Sequence, residues 1–358
     1  MDRTFDRRTF IGSFLSFAPG PQPGGFVLGT YQLPNQPDPW KEVKDAGFHV
    51  VRTAPRQAEL DQAAKAGMKA WVAVGSDEAR IRATVAALKN HSALLFWETE
   101  DEPSYQYRKT GPRVTPQRMI SAYRAIKAVD TSRPVYVNHS PTNLVSTLRQ
   151  YNDGADILGT DIYPVAPQGL RDQYALWPDG LHGDLLNPYL SQVGQYADKL
   201  REVGGPSKEI YMVLQAFAWE ALRKQGDRDE KLIRYPTREE LRFMCYQSVI
   251  HGASGLLFWG LHTVPAAARF WFDLKAVTRE LRDLESTLSA PSLSLQLKLE
   301  YRDTGHSLDR GIEWTARPSL LIAVNADRWP VDVTLRGAKG AQRLTFPPFG
   351  VALLRGIL

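Results

Sequence analysis

The chain has 358 residues, 43% hydrophobic and 23% charged, enough to bury a sizeable core and too apolar and mixed for a disordered or fibrous protein. Its net charge of +5 is modest, and only Arg3, Arg7 and Arg8 cluster, so no nucleic-acid surface is expected. No apolar run approaches the ~18 residues of a membrane span, and the single cysteine, Cys245, excludes an intrachain disulfide and any CxxC metal or redox motif.

Taken in chain order, the first feature is Asp6-Arg7-Arg8-Thr9-Phe10-Ile11 followed by the apolar stretch GSFLSFA. An arginine pair, an aromatic two residues on and an apolar run resemble a twin-arginine export signal. Residues 1–24 are therefore expected to be a signal and flexible lead-in, and the protein to be exported to the periplasm or beyond. From Gly25 a regular period sets in. Apolar, β-branched segments recur at Gly25 to Tyr31, Gly47 to Thr53, Lys69 to Gly75, Ala93 to Glu100, Pro134 to His139, Ile157 to Tyr163, Glu209 to Ala218 and Ser254 to Leu261. Between them lie capped helical stretches such as Asp77 to Leu88, Thr115 to Ala128 and Thr237 to Ile250. Strands alternating with helices imply parallel pairing with right-handed crossovers, and this many repeats imply a closed (β/α)8 TIM barrel over residues 25–289. An open doubly wound sheet is disfavoured because no GxGxxG or GxxxxGK[ST] follows the first strand.

After a helix at Ala268 to Leu288, Ala290-Pro291 breaks the pattern. Short alternating segments follow at Leu293 to Tyr301, Leu320 to Asn325, Val331 to Leu335, Ala341 to Phe346 and Gly350 to Leu354. Residues 290–358 are expected to form a small antiparallel, β-sandwich-like domain that caps the barrel.

In such barrels, function sits where strands end at the C-terminal face. Those ends supply Tyr31, Arg52, Ser76, Glu98 to Glu102, Asn138, His139, Asp161, Tyr163, Gln215, Trp219, Glu220, Trp259 and His262. The histidines lack ligand spacing, so no metal and no cofactor is expected, and no GxSxG elbow accompanies a triad. Carboxylates with flat aromatic platforms suit glycosidic bonds: one acid protonates the leaving oxygen, a second carboxylate attacks or activates water, and ring faces stack on sugars. The expected partner is thus a carbohydrate substrate; nothing in the sequence addresses oligomeric state.

The densest stretch is Trp97-Glu98-Thr99-Glu100-Asp101-Glu102-Pro103. It resembles the strand-4 signature of clan A glycoside hydrolases, Trp-Glu-x-x-Asn-Glu-Pro in the cellulase and mannanase branches, whose last glutamate is the general acid/base. Gly47 to Arg52 is similar to that clan's strand 2, with its supporting arginine, and Ser254 to Trp259 to its strand 8, whose tryptophan floors the sugar subsite. The resemblance spans the barrel and implies a glycoside hydrolase acting on a poly- or oligosaccharide, with Glu102 as proton donor. It also implies that Asp101 replaces the family's asparagine, and that Gln215 occupies the strand-7 position of the family's nucleophilic glutamate. Three readings of the missing carboxylate are open. Asp161 at the end of strand 6 is the second carboxylate; or Glu220 folds back from its loop, despite an odd offset from Gln215; or hydrolysis is lost and a non-catalytic carbohydrate-binding barrel remains. Arg52, Asp101, Asn138, Tyr163 and Gln215 are expected to orient hydroxyls, water or acids, and Trp219 and Trp259 to stack on sugar. Strand alternation places Glu98, Glu100 and Glu102 on one side, facing the barrel mouth, with Glu98 the buried partner of Arg52.

Overall fold

A computed structural model of the chain describes residues 25–105, 111–167, 187–302, 308–338 and 340–356. The export-signal reading falls on residues 1–24, outside the described residues. Eight parallel strands close into a barrel in sequence order: β1 (Val27–Thr30), β2 (Val50–Thr53), β3 (Lys69–Ala73), β4 (Leu94–Asp101), β5 (Val135–His139), β6 (Ile157–Ile162), β7 (Glu209–Gln215) and β8 (Gly255–Trp259), which pairs back onto β1. The helices α1 (Pro39–Asp45), α2 (Gln57–Lys65), α3 (Glu78–Leu88), α4 (Pro116–Lys127), α5 (Val145–Arg149), α6 (Gln192–Gly204), α7 (Arg238–Ile250), α8 (Arg269–Asp283) and α9 (Glu285–Ser289) complete the β/α units. Each strand falls within a segment expected from the sequence, as β-branched runs buried on both faces should, except that β4 runs one residue further, to Asp101.

The helix starts follow local capping chemistry. Asp77 and Thr115 accept from Arg80 N and Arg118 N, and Thr237 forms a reciprocal capping box with Glu240. The apolar face of α4 runs through Met119, Ala122, Ala125 and Ile126, while Tyr123 lies at its edge and donates its hydroxyl to Asp156 at 2.9 Å. The single helix expected at Ala268 to Leu288 is divided at Leu284 into α8 and α9.

Large aromatics fill the barrel. Trp71 and Phe96 stack at 5.5 Å, and Tyr31, Tyr136 and Tyr211 meet them edge-on at 5.3–5.8 Å. Two glycines make room. A Cβ on Gly159 would lie 2.3 Å from the Tyr136 hydroxyl, and one on Gly255 2.6 Å from the Tyr211 ring. The interior is thus a packed floor beneath the C-terminal face.

Two three-stranded antiparallel sheets follow, β10–β11–β14 and β13–β12–β9, built from β9 (Lys298–Tyr301), β10 (Ile312–Arg317), β11 (Leu320–Asn325), β12 (Val331–Gly337), β13 (Gly340–Phe346) and β14 (Val351–Leu354). β10 was not expected from the sequence. Its alternate residues Glu313 and Arg317 are charged yet only 3% exposed, so its buried face reads as a solvent face. Leu320, Ile322 and Val324 of β11 join the same apolar cluster as the barrel helices. Among the described residues no helix is long and apolar enough to cross a membrane. Cys245 is buried within α7, and burial pushes its thiol up.

The sheets are bolted to the barrel by a charged contact. His251, which follows α7, bonds Asp198 of α6 through Nδ1 at 2.7 Å and Glu313 of β10 through Nε2 at 3.0 Å. Burial alone would lower the imidazole, but these two acids lift it to about 9. Because the folded value lies above the ordinary one, this stabilisation is complete below about pH 6.5 and is lost as pH rises through about 9. His251→Gln is expected to cost about 2 kcal/mol at pH 7, and denaturant titrations at neutral and alkaline pH should show the difference from the parent shrinking as pH rises.

Candidate active site

The carboxylate stretch leaves the barrel through a bulge. β4 pairs with β5 as Glu98 to Tyr136 and then Asp101 to Asn138, three residues against two. The expectation that Glu98, Glu100 and Glu102 share one side is therefore corrected: the extra residue resets the alternation, and Asp101 takes the inward place beyond Glu98. Glu100 instead accepts from the Ser76 hydroxyl at 2.8 Å, and Ser76 in turn is held by Arg118. Beyond the bulge Glu102 has a φ of +46°, in the left-handed region uncommon for a side chain of this size. Its amide donates to the Asn138 carbonyl at 2.9 Å, which ties this turn to the end of β5.

Beneath the mouth, Glu98 is fully buried. Arg52 Nε donates to its Oε2 at 2.6 Å and Trp71 Nε1 to the same atom at 2.9 Å, giving the ion pair expected from the sequence. Burial still outweighs the arginine, so the Glu98 carboxyl lies above its ordinary value. Arg52 thus answers Glu98 and supports the floor, and its guanidinium lies over the Tyr31 ring at 5.5 Å.

Glu102 and Asp161 are near enough for each to act on the other's proton affinity. Burial and the neighbouring Asp101 raise Glu102 to about 7, while Arg113 and Asp161 draw it down. Burial, Glu102 and Asp101 push Asp161 well above the ordinary range. Both shifts are upward, which favours a proton on the pair. Asn138 Nδ2 donates to Asp101 at 3.0 Å and to Asp161 at 3.3 Å, bridging the other two acids. Its orientation is backed by Tyr136, whose hydroxyl lies 3.5 Å from Asn138 Oδ1 and 2.9 Å from that of Tyr31. Tyr136 was not singled out from the sequence; the signal was its place two residues before Asn138 on one strand face.

Asp161 is a near neighbour of Glu102, whose charge raises its proton affinity. Glu220 is fully buried in the short turn Trp219–Leu222, where Oε1 accepts from Asp229 N at 2.8 Å and from Arg223 at 3.1 Å. Gln215 is also fully buried. Its Oε1 accepts from Val165 N at 2.9 Å, and its Nε2 donates to the Val165 and Phe217 carbonyls at 2.7 and 3.0 Å. The amide thus clamps the loop after β6 onto the end of β7. His139 is buried with both ring nitrogens unpartnered, and burial beside Lys199 drives it down to about 3, so it is neutral at ordinary pH.

The aromatic side of the mouth is continuous. Tyr163 meets Phe217 at 4.9 Å, Trp219 at 6.1 Å and Trp259 at 5.8 Å, and Trp219 Nε1 donates to the Tyr163 carbonyl at 3.2 Å. Tyr163, Trp219 and Trp259 are half-buried, leaving ring area at the surface. A carboxyl pair holding a proton beside such a cluster, at the C-terminal end of a closed barrel, can protonate an oxygen of a ligand seated on the rings. Solved structures share the fold of this chain. A glycoside hydrolase family 5 protein from Bacteroides vulgatus superposes with a TM-score of 0.55 over 92% of this chain and 85% of its own, at 12% identity. The likeness is one of fold, a closed (β/α)8 barrel. A second protein described as a glycoside hydrolase gives 0.54 over 92% and 88%, at 13% identity, and a β-galactosidase from Rahnella sp. R3 gives 0.51 over 75% and 58%, at 12%. No family model matches the sequence, and no curated protein does.

Proposed function

We propose that this glycoside hydrolase-like barrel cleaves glycosidic bonds of a poly- or oligosaccharide, with Glu102 as the proton donor and Asp161 as the carboxyl with which it shares the proton. The observation that carries the reading is the gathering of Asp101, Glu102 and Asp161 at the strand ends, with Asn138 bridging Asp101 and Asp161, which raises Glu102 to about 7. An ordinary glutamate is ionised at neutral pH and has no proton to give; burial and Asp101 keep this one loaded. Glu102 is the more exposed end of the pair, with 22% of its side chain accessible, and delivers its proton to the leaving oxygen while the sugar rests on Tyr163, Trp219 and Trp259. The ionised pair left behind is unstable, two neighbouring like charges, and takes its proton back from the water whose oxygen bonds to the anomeric carbon as the glycosidic bond breaks, so that the sugar leaves with a new reducing end. Since the protonated form is the active one, kcat/KM is expected to fall about tenfold per pH unit above about 7. A pH series on a cleaved glycan measures it, and a rate rising through pH 8 would remove Glu102 as the donor.

A second reading has its own observation. The Gln215 amide is fully engaged with backbone and Glu220 with its own turn, so among the described residues the end of β7 offers no carboxylate to the mouth. That arrangement favours a barrel that binds carbohydrate without cleaving it, and sugar binding with no release of reducing ends would support it. Export through residues 1–24 and a capping role for residues 290–358 belong to the same proposal; cell fractionation tests the first.

A further inference from the structure

The proton donor has a cationic neighbour with no part in the reaction proposed above. Arg113 lies between β4 and α4, in a segment tied back to the strand end by the Val114 amide, which donates to the Pro103 carbonyl at 2.9 Å. Its guanidinium stands 3.9 Å from Glu102 Oε2, and its side chain is 53% exposed. That separation is an ion-pair contact too long for a hydrogen bond. Among the described residues Arg113 has no second partner. The nearby arginines differ: Arg52 is committed to Glu98 and Arg118 to Ser76.

To donate a proton, Glu102 must be neutral when substrate arrives, and a neutral carboxyl is no counter-ion. In that state Arg113 is a half-exposed cation at the lip of the site without an ionised partner. A guanidinium offers a planar fork that fits a carboxylate or sulfate through two parallel N–H···O bonds. Resting on the reading of Glu102 as donor, we propose that Arg113 selects an acidic glycan, pairing with a carboxylate or sulfate group on a sugar beside the bond that Glu102 protonates. Among the described residues the other charges facing Glu102 are Asp101 and Asp161, both held by Asn138, so the anionic group is excluded from their side and directed to Arg113. The two events reinforce each other. Arg113 draws down the proton affinity of Glu102, an anion on Arg113 cancels that pull, and by reciprocity the protonated donor binds the anion better.

The test is binding, made on Glu102→Gln as a stand-in for the neutral donor. Affinity electrophoresis at physiological salt compares polygalacturonate and alginate with their carboxyl-reduced forms, and a sulfated galactan with its desulfated form. At least one acidic polymer is expected to bind about tenfold more tightly than its neutral counterpart, and adding Arg113→Gln should abolish the preference. The same loss of charge at Arg336 on β12 should leave it in place. The carboxylate and sulfate arms identify the group. Equal binding of every acidic and neutral pair, or a preference that survives Arg113→Gln, overturns the proposal. Reducing-end release by the parent protein is scored separately: cleavage of neutral glycans without the acidic preference sinks only the Arg113 site, and an acidic preference without any cleavage sinks only the donor role.

Discussion

Glu102→Gln is expected to lower the release of reducing ends by about 10²–10⁴-fold, the usual contribution of a positioned general acid. The amide matches the carboxyl in shape, so the side chain keeps its place while the transferable proton is removed. The backbone effect is small as well, because the amide of residue 102 keeps its bond to the Asn138 carbonyl whatever the side chain. Thermal unfolding close to that of the parent, together with lost turnover, is the expected result. Turnover within a factor of two of the parent would place the proton elsewhere.

Arg52→Ala should have the largest effect on stability, about 3–5 kcal/mol at pH 7, because it strands the fully buried Glu98 as a charge with Trp71 as its remaining donor. Burial already holds Glu98 above its ordinary value, and without the guanidinium it rises further. A carboxyl whose folded value is raised gives the folded state its full stability below the unfolded value and withdraws it as pH climbs through the folded one. The deficit of the variant is therefore expected to shrink between pH 7 and pH 4. Denaturant titrations at the two pH values measure it, and a deficit independent of pH would mean that packing of the arginine stem, not charge, is what was lost.

Much of the barrel was legible because strand and helix are encoded locally. β-branched runs, Asp and Thr caps and the break after α9 need no knowledge of neighbouring elements. The site was legible only in its residue types. Whether Glu100 or Asp101 faces inward depends on a bulge against β5, a property of the pairing that alternation along β4 cannot contain. Similarly, the positive φ of Glu102 and its nearness to Asp161 arise where two non-adjacent strands end together. Arg113 was missed because it is a loop residue brought back by one backbone bond to Pro103, with no periodicity to mark it. β10 was missed for the opposite reason: Glu313 and Arg317 carry the signature of a surface yet are almost fully buried, Glu313 against Gln247 of α7 and His251.

As proposed, this barrel is a working glycosidase whose proton is held by Glu102 and its neighbour Asp161. The most direct measurement is a screen of the purified protein against a panel of neutral and acidic polysaccharides at pH 6–7, read as new reducing ends. Release from at least one glycan, absent in Glu102→Gln, is the expected result. Silence across the panel while one of those glycans binds would contradict it and leave a carbohydrate-binding barrel.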